Sequence, residues 1–116
     1  MKYKTINGWT KASMIEHIKK EFKGKSDTKP YGHCLYRGPG GAKCAIGMFI
    51  PNEHYTESMD NGVGAGTLCD TYPELNTYMP LEGPEALAGF QLSHDDSPEE
   101  ACLDNILAWV DLNVAD

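Results

Sequence analysis

The sequence predicts one α+β domain over residues 1–116, with a β-hairpin, several helices, and amphipathic helices at both ends. Three features carry this. An apolar spacing of about four residues runs through 11–23, a second helical spacing runs from about 98 to 114, and between them a glycine-rich turn sits between two short apolar stretches, "HCLYR" and "KCAIGMFI".

The first helix is expected over 11–23. Thr10 suits the N-cap, Trp9 before it can staple onto Met14, and Met14, Ile18 and Phe22 with Ile15 make one apolar stripe. Glu16, His17 and Lys20 fall on the wet side, and Gly24 is a natural stop. A hairpin follows, with "RGPGGA" as its turn. Alternation across strands would pair Cys34 with Cys44 on a buried face and leave Arg37 and Lys43 outside. The alternative for this stretch is that Gly41 ends a loop and Cys44 begins a short helix. The middle, with Pro51, Pro73, Pro80 and "DNGVGAG", reads as loop, with brief helices near 67–71 and 73–79 and His54 solvated in a loop. "GPEALAGFQLSH" reads as a helix with Leu87, Phe90, Gln91 and His94 on one face. In the last helix Ser97 and Glu100 form a capping box with Pro98 at N1, and Leu103, Ile106, Leu107, Val110 and Val114 line the buried side.

The 116 residues are 41% hydrophobic, enough to fold around one core. No run is long and apolar enough to predict a membrane span, and the first residues lack the apolar stretch of a secretory signal. A cytoplasmic, reducing location is therefore expected, with the four cysteines as thiols rather than disulfides. The net charge of −7 is unevenly spread. The first 43 residues hold all ten Lys and Arg against three acids, and the remainder holds fourteen acids and no Lys or Arg. Such a split points to a charged partner, or to two halves that attract each other on folding. The basic half could touch phosphates, but the acidic half would repel a duplex, so nucleic acid is not the expected partner.

Several chemistries compete for the glycine-rich turn. A phosphate loop fails, because Cys44 stands where a magnesium-binding hydroxyl is needed after Lys43. A zinc module would have to gather His33, Cys34, Cys44 and Cys69 or His94 without paired-cysteine spacing, so no metal ligand and no cofactor is assigned. A thiol nucleophile has the right residue types: Cys44 after a cation and a Gly-Gly turn, His94 as base, and Asp95 to orient it. The contrary reading packs Cys44 in the core and ends a helix at His94. For a binding surface the candidates are Glu57, Asp60 and Asp70 in the acidic half, with Arg37 and Lys43 beside the turn.

"CLYRGPGGAKCAIGMFIPNEHY", then "MDNG", then "FQLSHDD" before a Trp-containing helix resemble a set of small uncharacterised bacteriophage and prophage proteins. Those carry a C-x-Y-R…G-x-K-C-A-x-G…IP-x-E-x-Y stretch and a later Q-x-x-H-D. The resemblance covers roughly residues 33–112, and departs at "GGAKC", where a larger apolar residue is expected before Lys43. It transfers no catalytic residue. It implies a viral origin, a bacterial cytoplasm, and an accessory role against host proteins or defence systems. The function expected is non-catalytic binding to a bacterial host protein. The alternatives are a Cys44/His94 thiol-dependent hydrolase and a small zinc-stabilised module.

Overall fold

The computed structural model describes residues 2–25, 35–60 and 65–116. Among the described residues four α-helices carry the fold: α1 (Lys11–Glu21), α2 (Ala65–Thr71), α3 (Pro84–Asp95) and α4 (Cys102–Asn113). One-turn 3₁₀ segments lie between them, at Pro39–Gly41, Ile46–Phe49, Asn52–His54, Glu57–Met59, Pro73–Thr77 and Glu99–Ala101. Helix α3 lies against α4 and α2, and α1 against α4. Phe90 of α3 is fully buried, with its ring 5.6 Å from Phe49 and 5.7 Å from Trp109. Met14 and Ile18 of α1 and Ile106 and Val110 of α4 join the same core. Each such side chain removed from water contributes about 1.5–3 kcal/mol.

Helix α1 begins as its sequence requires. Thr10 is extended, its hydroxyl accepts from Ser13 N at 3.0 Å, and Ser13 Oγ accepts from Thr10 N at 2.8 Å. The helix ends at Glu21 rather than 23, because Phe22 turns extended and packs against the core. Residues before the helix are tied to distant ones. Tyr3 bridges to Val114 and Thr5 to Leu81, and Asn7, with φ 57°, donates to the Asn76 and Met79 carbonyls.

The α+β expectation is corrected here. Apart from those two isolated bridges, no strand and no sheet occurs among the described residues, and the molecule is helical. His33 and Cys34 lie outside the described residues, so the expected Cys34–Cys44 pairing does too. From Leu35 onward the backbone groups that a hairpin ladder would use have other partners. Gly38 N donates to Ala42 O at 2.7 Å, which closes a tight turn over Gly40 and Gly41, both at positive φ. Ala45 is right-handed helical, Met48 N donates to Cys44 O at 3.1 Å, and Ile46–Phe49 form a 3₁₀ turn. Ile46 N donates to Gln91 Oε1, and the Gly47 and Ile50 carbonyls accept from Arg37. Side chains thus take up the main-chain hydrogen bonds of the would-be return strand. The second alternative is met only in part: a short helical segment does follow, but it begins at Ile46, with Cys44 just before it accepting from Met48 N.

The cap expected for α4 is also corrected. Ser97 is buried; its hydroxyl donates back to Ser93 O at 2.5 Å and accepts from Asn105 Nδ2 at 3.0 Å, so it closes α3 instead of opening α4. The buried face of α4 holds Cys102, Ile106 and Val110, followed by Val114, with Leu103, Leu107 and Trp109 partly buried beside it. Among the described residues no helix is long and apolar enough to cross a membrane.

Candidate functional site

Two places hold the chemistry. The first is the buried end of α3. His94 is 0% exposed, and its Nδ1 meets Asp95 Oδ1 at 2.9 Å. The same Oδ1 accepts from Gln91 Nε2 at 2.7 Å, while Gln91 Oε1 accepts from Ile46 N at 3.0 Å. A relay therefore runs from the helical turn after Cys44, through Gln91, to Asp95 and the His94 ring. Cys44 is also 0% exposed, and its Sγ accepts from Gly47 N at 3.3 Å. Lys25 Nζ donates to the Asp95 and Ser97 carbonyls at 3.1 and 2.6 Å, closing the end of α3. The expected imidazole and carboxylate are thus bonded to each other, and the thiol bonds the Gly47 N–H within the turn whose Ile46 N–H meets Gln91. Neither the thiol nor the imidazole reaches solvent, which acyl transfer to a substrate would require.

Arg37 and Asp60 form a brace for residues 35–60. The Arg37 guanidinium donates to the carbonyls of Gly47 at 2.6 Å, Ile50 at 2.5 Å and Tyr36 at 3.1 Å, and to Asn52 Oδ1 at 3.1 Å. It also lies 4.9 Å from the centre of the Tyr55 ring. The Asp60 carboxylate accepts from Tyr36 N at 2.6 Å and from the Tyr55 hydroxyl. Burial pushes both phenols, Tyr36 and Tyr55, well above the ordinary range; the Asp60 hydrogen bond adds to the effect at Tyr55. Of the five residues read as a binding surface, Arg37 and Asp60 are therefore turned inward as braces. Lys43 pairs with Glu21 at 2.8 Å. Glu57 and Asp70 are exposed.

The second place was not legible as a site in the sequence. A groove of about 580 Å³ opens beside α1, with Trp9, Ser13, His17, Glu21, Phe49 and Tyr78 among its lining residues. Ser13, His17 and Glu21 recur every four residues and so share one helix face. His17 does not sit free in water as its position suggested. Its Nε2 donates to Met48 O at 2.6 Å, and its ring lies 5.1 Å from Trp9 and 4.8 Å from Phe49. Trp9 packs 5.0 Å from Phe49 and donates through Nε1 to Tyr78 O at 3.3 Å. His54, expected to be solvated, is hydrogen-bonded to the Tyr78 hydroxyl at 3.0 Å. Trp9, read as a staple onto Met14, and His17, read as wet, gave no sign of their contact, nor of the arrival of Phe49 and Tyr78.

The other two described thiols are packing groups. Cys69 and Cys102 are buried, and burial raises both, Cys102 to about 11. Among the described residues no cluster of three His, Cys, Asp or Glu is arranged to hold a metal ion. No protein-family model, curated protein or solved structure matches the chain.

Proposed function

We propose that the chain acts by binding, not by catalysis, and that the groove beside α1 docks a segment of a partner protein. One observation carries this. Trp9, Phe49 and Tyr78 line a groove that opens to the surface, whereas Cys44 and His94 are both fully buried. An open concavity with several rings and a few polar groups is the usual form of a recognition site. The likeness to phage proteins supplies the setting, a bacterial host protein as partner. The test is affinity capture from bacterial lysate with the intact chain and a groove-blocked variant. Thr77 is exposed and lines the groove, so Thr77→Trp fills it without removing a buried group. A captured protein that is lost with Thr77→Trp at unchanged melting temperature supports the reading. Capture that is indifferent to the block overturns it.

A thiol-dependent hydrolase is the second reading, favoured by the His94–Asp95 hydrogen bond and by Cys44 at the start of a helical turn. On the binding reading Cys44 resists iodoacetamide until the chain unfolds. Rapid modification of native Cys44 that His94→Ala abolishes would establish the hydrolase instead.

A further inference from the structure

We infer that the groove beside α1 accepts the guanidinium of an arginine side chain presented by the partner segment, with its plane against the aromatic rings and its donors on the Glu21 carboxylate; this rests on the groove being the docking site.

The lining residues select the ligand by charge. Among the described lining residues Glu21 is the one Asp, Glu, Lys or Arg, so the charged group on the groove wall itself is a carboxylate, with Lys43 behind it. Glu21 is only partly exposed, and its hydrogen bond with Lys43 keeps the carboxylate ionised, below the usual range. Lys43 takes Oε1; Oε2 has no hydrogen-bond partner among the described residues. A carboxylate has room for about four hydrogen bonds, so one side remains for a second cation. The wider field agrees, since the chain carries a net charge of −7.

The rings select arginine over lysine. A guanidinium is flat, weakly hydrated and forked, so it can lie on an aromatic face while bonding a carboxylate. An ammonium is compact and strongly hydrated, and uses the rings poorly. Trp9 and Tyr78, both partly exposed, supply the ring faces, and Pro51 supplies apolar surface for the arginine stem. The chain already uses this chemistry next to the groove, where Arg37 lies on Tyr55 and bonds Asn52.

The experiment is a titration of the intact ¹⁵N-labelled chain with a capped peptide whose one charged residue is a central arginine, and with its citrulline twin. Citrulline keeps the shape and loses the charge. The readout is the indole N–H signal of Trp9. A saturable Trp9 shift is expected, with the citrulline peptide about tenfold weaker, as loss of a charge-assisted pair predicts. Glu21→Gln should weaken the arginine peptide by a similar factor. Lys43→Met should tighten it, because the internal competitor for Glu21 is gone; damage to the fold would weaken it, so the two variants must move in opposite directions. Equal binding of the two peptides, no saturable shift, or a Lys43→Met that weakens with Glu21→Gln overturns the inference. If capture from lysate is lost on blocking the groove while both peptides bind alike, the groove remains the docking site and guanidinium recognition fails. If capture ignores the block, the docking reading itself fails.

Discussion

Replacing Gly47 by alanine gives two effects of opposite sign, and the structure decides between them. Gly47 sits in the helical turn after Cys44, at a backbone conformation that any residue can adopt. Alanine there gains up to about 1 kcal/mol of helical preference over glycine. Its Cβ, however, would stand 2.3 Å from the Tyr36 carbonyl oxygen and 3.0 Å from the carbonyl carbon. The obstacle is backbone, and that backbone is held. Tyr36 N donates to Asp60 at 2.6 Å, and the adjacent Arg37 bonds the Tyr36 and Gly47 carbonyls. Relief requires the two segments to part, at about 1–3 kcal/mol for overpacking. It also weakens hydrogen bonds to charged groups, each contributing about 1.5–3 kcal/mol. The clash wins, and a net loss of about 2–4 kcal/mol is expected. For a chain of this length that lowers the melting temperature by about 10 °C or more. Thermal and urea unfolding followed by circular dichroism measure it. Gly89→Ala is the control. Its Cβ meets a side-chain atom, Trp109 Cζ2, at 3.0 Å, and a partly buried ring can give way. That variant should stay within about 1 kcal/mol of the parent. A Gly47→Ala protein that melts at or above the parent temperature would refute the contact on which the turn is argued to rest.

Arg37→Lys keeps the charge but cannot reach the Gly47, Ile50 and Asn52 acceptors together; we expect a loss of about 2–4 kcal/mol in urea unfolding, and an unchanged midpoint would remove Arg37 as the brace. Ile106→Ala, fully buried on α4, should cost about 2–5 kcal/mol in the same assay, and an unchanged midpoint would place that face outside the core. Glu21 is held below its ordinary pKa, chiefly by its hydrogen bond to Lys43, so folding binds fewer protons there than unfolding. That contribution is present above the unfolded carboxylate value of about 4.3 and is lost as pH falls through the folded one. Melting temperatures from pH 7 to 3 should therefore fall less steeply for Glu21→Gln than for the parent; parallel curves would contradict the coupling.

The outer helices were legible because their evidence is local. Thr10 caps α1 from beside it, and the residues buried on α4, Ile106, Val110 and Val114, keep the helical spacing. The hairpin was not legible as wrong, because its competitors come from far along the chain. Six consecutive buried residues, Ala45 to Ile50, fit a strand as well as a buried turn. The choice was made by Gln91, 45 residues away, taking the Ile46 N–H, and by Arg37 taking two carbonyls. Ser97 failed as a cap for a related reason: its hydroxyl donates to Ser93 O and accepts from the Asn105 side chain, eight residues on, instead of from a main-chain N–H of the first turn. Cys44, His94 and Asp95 were picked out by residue type; His94 and Asp95 are hydrogen-bonded to each other, but spacing carries no information about burial, and Cys44 and His94 are both fully buried. The groove needed the Trp9–Tyr78 contact, 69 residues apart, which no periodicity announces.

The charge split takes a particular form in space. Two of the cations are spent on carbonyls rather than on carboxylates. Lys25 closes the end of α3 through the Asp95 and Ser97 carbonyls, where the helix dipole favours a cation, and Arg37 braces three carbonyls. Lys43 pairs with Glu21, an acid of its own half, and Lys11 reaches Asp111 and Asp116 at 3.4 Å each. Long stems let these cations act as struts between segments. The acids, short and with no such targets, stay outside: Glu53, Glu57, Asp70, Glu74, Glu82 and Glu85 are all exposed. Lys2, Lys4, Lys19 and Lys20 are exposed as well, so the excess of acids over bases that gives the net charge of −7 stays at the surface. The field that remains is negative, acts over about 8–10 Å at ordinary ionic strength, and favours the approach of a basic segment over an acidic one.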